Sequence, residues 1–82
     1  MPARDLAYTD KFIEDLKEFD KSIIVRVKKA LLKIREKPEL GKPLHGELHG
    51  FLSERVGKIR IFYFYDEKNV HLVRCRMRKE GY

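Results

Sequence analysis

The chain has 82 residues, with 19 Lys or Arg against 13 Asp or Glu, one Cys, no Trp and a formal net charge of +6. That length supports one small domain over residues 1–82, with one core and no second unit. A lone Cys75 excludes an internal disulfide framework and an all-Cys metal site, and it points to a reducing compartment, the cytoplasm. The opening MPARDLAY has no apolar stretch of signal-peptide length. No window approaches the roughly 20 apolar residues of a membrane span, so no membrane association is expected.

Leu6 to Tyr8 reads as a short opening strand. Thr9 or Asp10 offers an N-cap to a first helix in which Phe12, Ile13, Leu16 and Phe19 recur at helical spacing. Asp20 or Ser22 caps a second helix, whose stripe of Ile23, Ile24, Val27, Ala30, Leu31 and Ile34 continues until Pro38 forbids it. The short interval between the stripes predicts a helical hairpin. Residues 38–50, PELGKPLHGELHG, hold two Pro and three Gly without periodicity and read as a connecting loop. The period then changes to two. Strands are predicted over Phe51 to Val56, Ile59 to Tyr65 and Val70 to about Met77, with turns at Gly57–Lys58 and Asp66–Asn69. The expected fold is a two-layer α+β domain: an N-terminal strand, a helical hairpin on one sheet face, and a three-stranded antiparallel meander.

Charge is unevenly spread. Residues 9–20 carry a net −3, residues 21–37 a net +6, and Arg74, Arg76, Arg78 and Lys79 crowd the end of the chain. Such segregation points to a polyanionic partner, either nucleic acid or an acidic protein, although Lys28, Lys29 and Lys33 fit a solvated helix face equally well. Plain alternation along the last strand sends Val70, Leu72, Arg74, Arg76 and Arg78 to one side and His71, Val73, Cys75 and Met77 to the other. Same-side residues lie roughly 6 to 7 Å apart, so the guanidiniums form a rail for a phosphate backbone. Arg55 and Arg60 join it if the meander sets them on the same open face.

His45 and His49 flank Glu47 four residues apart, but Gly46, Gly50 and Pro43 argue against the helix that would converge them, so no metal is expected there. Cys75, between Val73 and Met77, reads as core. What remains is Arg, Lys and Tyr, a set suited to attack by a ribose 2′-hydroxyl on the neighbouring phosphate. Arginine cannot give up its proton, but its fork matches the oxygens of the pentacoordinate phosphorane. Spacing alone leaves Tyr82 open between a frayed terminus and a proton-transfer group whose pKa, ordinarily about 10, Arg78 and Lys79 would lower.

The order of elements, the connector Lys42-Pro43-Leu44-His45-Gly46-Glu47-Leu48, the segment running from Arg55-Val56-Gly57 through Arg60 to Tyr63, and the ending from Arg76 to Tyr82 are similar to the RelE/ParE superfamily of toxins. The Arg-Val-Gly-x-x-Arg-x-x-Tyr segment is the most specific of these. The resemblance implies a toxin held inactive by a cognate acidic antitoxin. In the RelE branch it implies a ribosome-dependent endoribonuclease cutting mRNA in the A site without metal or other cofactor. It places the catalytic positions on Arg55, Arg60, Arg76 and Tyr82, with Lys58, Arg74, Arg78 and Lys79 as further RNA-binding residues. One departure stands out: two residues before Arg55, where such nucleases carry a base, this chain has Ser53. The alternatives are a ParE-like toxin that poisons DNA gyrase by protein contact, and an inactive or merely RNA-binding relative.

Overall fold

The computed structural model describes residues 4–77. After strand β1 (Asp5–Tyr8), the Thr9 hydroxyl accepts the Phe12 N–H at 3.1 Å and opens helix α1 (Asp10–Lys17). Asp20 does the same for helix α2 (Lys21–Glu36), taking the Ile23 N–H at 3.1 Å. These side chains satisfy amide groups that no preceding turn can reach. Pro38 stops α2 and begins a short 3₁₀ turn, Pro38–Leu40.

Four further strands follow: β2 (Lys42–Pro43), β3 (Leu52–Val56), β4 (Ile59–Tyr65) and β5 (Asn69–Met77). They form one sheet of order β1-β5-β4-β3-β2, in which β1 runs parallel to β5 and the other pairs are antiparallel. Both helices lie on one face. Phe12 of α1 and Val27, Leu31 and Ile34 of α2 pack on Ile59, Ile61 and Tyr63 of β4 and on Val70, Leu72 and Cys75 of β5. Fully burying a side chain of this size contributes about 1.5 to 3 kcal/mol before the cost of ordering it.

One buried polar group ties the connector to this core. The Tyr63 hydroxyl donates to the Pro38 carbonyl at 2.6 Å, and a Cβ on Gly41 would collide with that hydroxyl. The backbone therefore approaches the ring as only glycine allows. Burial, with the Glu54 charge second, pushes the Tyr63 phenol up to about 12.

Two expectations need correction. The connector is not wholly loop, because Lys42 and Pro43 pair with Ser53 and Leu52 and add an edge strand. Plain alternation along the last strand also fails. Phe62 pairs with Arg74 but Tyr63 with Leu72, leaving Val73 as an extra residue, a β-bulge. The phase reverses there. Val70 and Leu72 face the helices before the bulge, and Cys75 does so after it. His71 and Cys75 accordingly fall on opposite faces, and the arginines of β5 escape the helix-covered side on which Leu72 sits.

Candidate functional site

The β3–β4 hairpin turns at Gly57 and Lys58, with Gly57 at φ 59°, a left-handed value that disfavours a side chain. This tight turn fixes the register that sets Arg55 opposite Arg60. On the far side of β4, Arg60 pairs with Arg76 of β5. Directly opposed residues share a sheet face, and Ile59, Ile61 and Cys75 take the helix face, so all three guanidinium chains emerge on the open one. Adjacent strands lie roughly 5 Å apart, which makes a row of three cations across β3, β4 and β5. Like charges directly opposed are destabilising. Among the described residues, no carboxylate forms an ion pair with any of the three. Such an arrangement is suited to an anion with several oxygens, a phosphate above all.

Arg74 sits differently. Once β1 ends at Tyr8, that edge of β5 has no strand beside it, and α1 finishes it instead. The Thr9 hydroxyl donates to the Leu72 or Val73 carbonyl, each at 3.1 Å. Asp15 accepts the Cys75 N–H at 2.9 Å and binds Arg74 twice, from Nε at 2.8 Å and Nη2 at 3.1 Å. Burial alone would raise the Asp15 carboxyl, but the Arg74 and Cys75 hydrogen bonds and the charges of Arg74 and Arg76 hold it below the usual range. Arg74 is thus a paired, oriented side chain.

Beside the row, the connector folds over the open face and leaves a cleft of about 270 Å³. Phe62 and Val73 form its floor, Leu44, Leu48 and Phe51 its walls, and Arg74 and Arg76 its basic rim. Ser53 is buried on the same face, opposite Phe62. Farther from the row, Phe64 stacks on His71 with ring centres 4.5 Å apart, and Phe51 meets Phe64 edge-on.

Of the residues singled out from the sequence, Arg55, Arg60 and Arg76 come together and Arg74 borders them. Lys58 does not join them. It lines a separate cleft with Arg26, Ile23 and Met77, between the hairpin turn and the start of α2. His45 and His49 are exposed at the two ends of a 3₁₀ turn, Gly46–Leu48, and Lys33 reaches Glu54 at 3.4 Å. Arg78, Lys79 and Tyr82 lie outside the described residues. The sequence pattern alone gave Asp15 no role and did not reveal the cleft.

The sequence model of the ParE toxin of the type II system matches residues 6–82, and the chain belongs to that family within the RelE/ParE superfamily. No curated protein matches the chain. Among solved structures it is similar to the RelBE2 toxin-antitoxin complex of Mycobacterium tuberculosis, with 29% identity and a TM-score of 0.87 over 95% of this chain and 94% of that one. The isolated RelE toxin of E. coli shares the fold at 18% identity and a TM-score of 0.83, over 96% of this chain and 88% of that one. The YoeB dimer of Staphylococcus aureus shares it at 22% identity and 0.79, over 95% and 100%. Among the described residues no helix is long and apolar enough to cross a membrane.

Proposed function

We propose that this toxin is an mRNA endonuclease acting on the ribosome, with Arg55, Arg60 and Arg76 holding the scissile phosphate. The observation that carries the reading is the row of three arginines in cross-strand register on the face away from the helices, without a carboxylate partner among the described residues. In the reaction a ribose 2′-oxygen attacks the adjacent phosphorus, the 5′-oxygen leaves with a proton, and the products are a 2′,3′-cyclic phosphate and a 5′-hydroxyl. The arginines stay protonated throughout and stabilise the charge that grows on the equatorial oxygens. Proton transfer falls to Tyr82. A cognate acidic antitoxin is the natural partner of so basic a surface, since it would neutralise the face and add stability by binding only the folded chain.

The test is cleavage of a defined mRNA on programmed ribosomes by antitoxin-free protein, with product ends mapped. Arg60→Ala and Arg76→Ala should each slow cutting by on the order of 10² to 10³. Intact mRNA with folded wild-type protein refutes the reading. The family's ParE description, together with a buried Ser53 where RelE-like nucleases carry a base, supports a second one. In it the toxin poisons DNA gyrase by protein contact, and inhibited supercoiling with RNA left whole identifies it.

A further inference from the structure

The face that carries the arginine row holds one further cation without a carboxylate partner among the described residues, Lys42 of β2. We propose that Lys42 is a fourth cation of the phosphate site, its ammonium reaching across Ser53 to the oxygens held at the Arg55 end of the row. This rests on the reading of that face as an RNA-cleaving site.

The strand register carries the assignment. Lys42 pairs with Ser53, Ser53 with Phe62, and Phe62 with Arg74. These four make a second row beside Arg55, Arg60 and Arg76, two residues along β3 and β4 and roughly 7 Å away. Directly opposed residues share a sheet face, so Lys42 emerges where Ser53 does. Leu44 gives the same answer. Its N–H continues the ladder by donating to the Phe51 carbonyl at 3.0 Å, it stands two residues from Lys42, and it walls the cleft on the open face.

Charge sits at the two ends of this second row. Arg74, at the β5 end, is held by Asp15, whereas Lys42, at the β2 end, is exposed. Ser53 itself brings no charge to the face, and its short, buried side chain leaves the lysine stem a path over β3. Arg55 is the diagonal neighbour of Lys42 across the β2–β3 pair, at roughly 7 to 8 Å, a separation that long side chains span. An ammonium is a compact charge with three rotatable donors on a flexible stem, so it can follow a phosphate oxygen that the fixed forks of the arginines leave free. Lysine on an edge strand also guards against edge pairing, but a two-residue strand containing Pro43 already blunts this edge. A fourth like charge near three others disfavours the fold, which makes a role in binding and a role in stability separable.

The experiment uses the full chain with Lys42→Met, which keeps an apolar stem and removes the charge, and with Lys42→Arg, which keeps the charge. Affinity for a short single-stranded 2′-O-methyl RNA, which cannot be cut by 2′-hydroxyl attack, is measured against KCl concentration. Cleavage of mRNA on programmed ribosomes is measured at one fixed salt concentration. Lys42→Met should weaken binding and reduce the slope of log affinity on log salt by about 0.7, the share of one phosphate on a single strand. It should slow cutting at an unchanged position by on the order of 10-fold, and Lys42→Arg should recover most of both. Its melting temperature should stay level or rise, because the position is exposed and one like charge is gone. A wild-type slope in Lys42→Met overturns the proposal and leaves the lysine as an edge guard. A reduced slope with cutting unchanged also overturns it, because the contact then falls on a phosphate away from the row. Absence of RNA binding by the wild-type chain at low salt does the same. Normal cutting by Lys42→Met refutes only the role of Lys42. Wild-type protein that binds RNA yet leaves mRNA whole refutes the nuclease reading, and the slope alone then decides whether Lys42 is a phosphate ligand.

Discussion

Asp15→Asn tests how the free edge of β5 is finished. The carboxylate takes three hydrogen bonds, from Arg74 Nε, Arg74 Nη2 and the Cys75 N–H, at 2.8, 3.1 and 2.9 Å. Asparagine has nearly the same shape, so no cavity opens. Its single amide oxygen can keep the Cys75 bond, but its NH₂ then faces the guanidinium donors. Two charge-assisted bonds are lost, each worth about 1.5 to 3 kcal/mol in a buried setting. The side chains are 16% and 34% exposed, so Arg74 recovers part of this from water. A net loss of about 2 to 3 kcal/mol results, which lowers the melting temperature of a domain this size by roughly 10 to 20 °C. The pH dependence has a definite sign. Because the folded Asp15 carboxyl titrates below its unfolded value of about 4, its contribution is complete above that pH and is lost as pH falls further. Urea unfolding of both proteins from pH 7 to pH 2 should show the gap between them closing in acid. A cycle with Arg74→Ala should assign most of the gap to this pair. A loss under about 0.5 kcal/mol at pH 7, the range of an exposed pair, or a gap unchanged at pH 2, refutes the reasoning.

Tyr63→Phe should cost about 0.5 to 1.5 kcal/mol, because the Pro38 carbonyl loses the phenol and keeps only the Gly41 N–H at 3.3 Å, and a lowered urea midpoint reads it directly. Gly41→Ala should destabilise by about 1 to 3 kcal/mol from overpacking, and Tyr63→Phe should relieve only part of that, because a Cβ there also lies 2.8 Å from the ring carbon Cζ of residue 63 and 3.2 Å from Leu52 Cβ. Burial first, and the nearby Asp15 charge second, push the Cys75 thiol up to about 12. Native protein at pH 8 should therefore resist alkylation until it unfolds, and rapid labelling of folded chain contradicts this. The Asp66 carboxyl, held by His71 and then by the Asn69 and Lys68 amides, should titrate at about 2 in a carbon-detected NMR series. His71→Ala should return it toward about 4, and a wild-type value already near 4 refutes the assigned contacts.

The fold was legible where the signal was local. Thr9 and Asp20 cap the helices, the apolar stripes face the sheet, Pro38 ends α2, and Gly57 turns the hairpin, as their residue types dictate. β2 was not legible, since two residues including a proline carry neither a period nor β propensity. The parallel pairing of β1 with β5 joins residues more than 60 positions apart, and no short-range pattern specifies it. The bulge did leave a mark. Leu72 and Val73 are adjacent apolar residues in an alternating run, and two in succession are what a change of phase requires.

That one-residue insertion also explains why the site was only half visible. Arg55 and Arg60 are brought together by a two-residue turn, so their pairing follows from the sequence itself. Arg76 joins them only because Val73 is unpaired. Without the bulge, the phase set by Val70 and Leu72 would carry Arg74 and Arg76 beneath the helices, where a charge lacking a partner is very costly. Cys75 takes the core position instead, small enough to sit beside α1 while Asp15 receives its N–H. The early end of β1 is part of the same arrangement. A longer β1 would pair with the Cys75 amide and leave Asp15 nothing to cap, and Arg74 would lose the carboxylate that orients it. The strand edge, the bulge and the acid on α1 therefore act together to turn an alternating basic strand into a cross-strand row with an oriented arginine at its flank. Each depends on residues distant in sequence, so a strand-by-strand reading finds the cations but misses their arrangement.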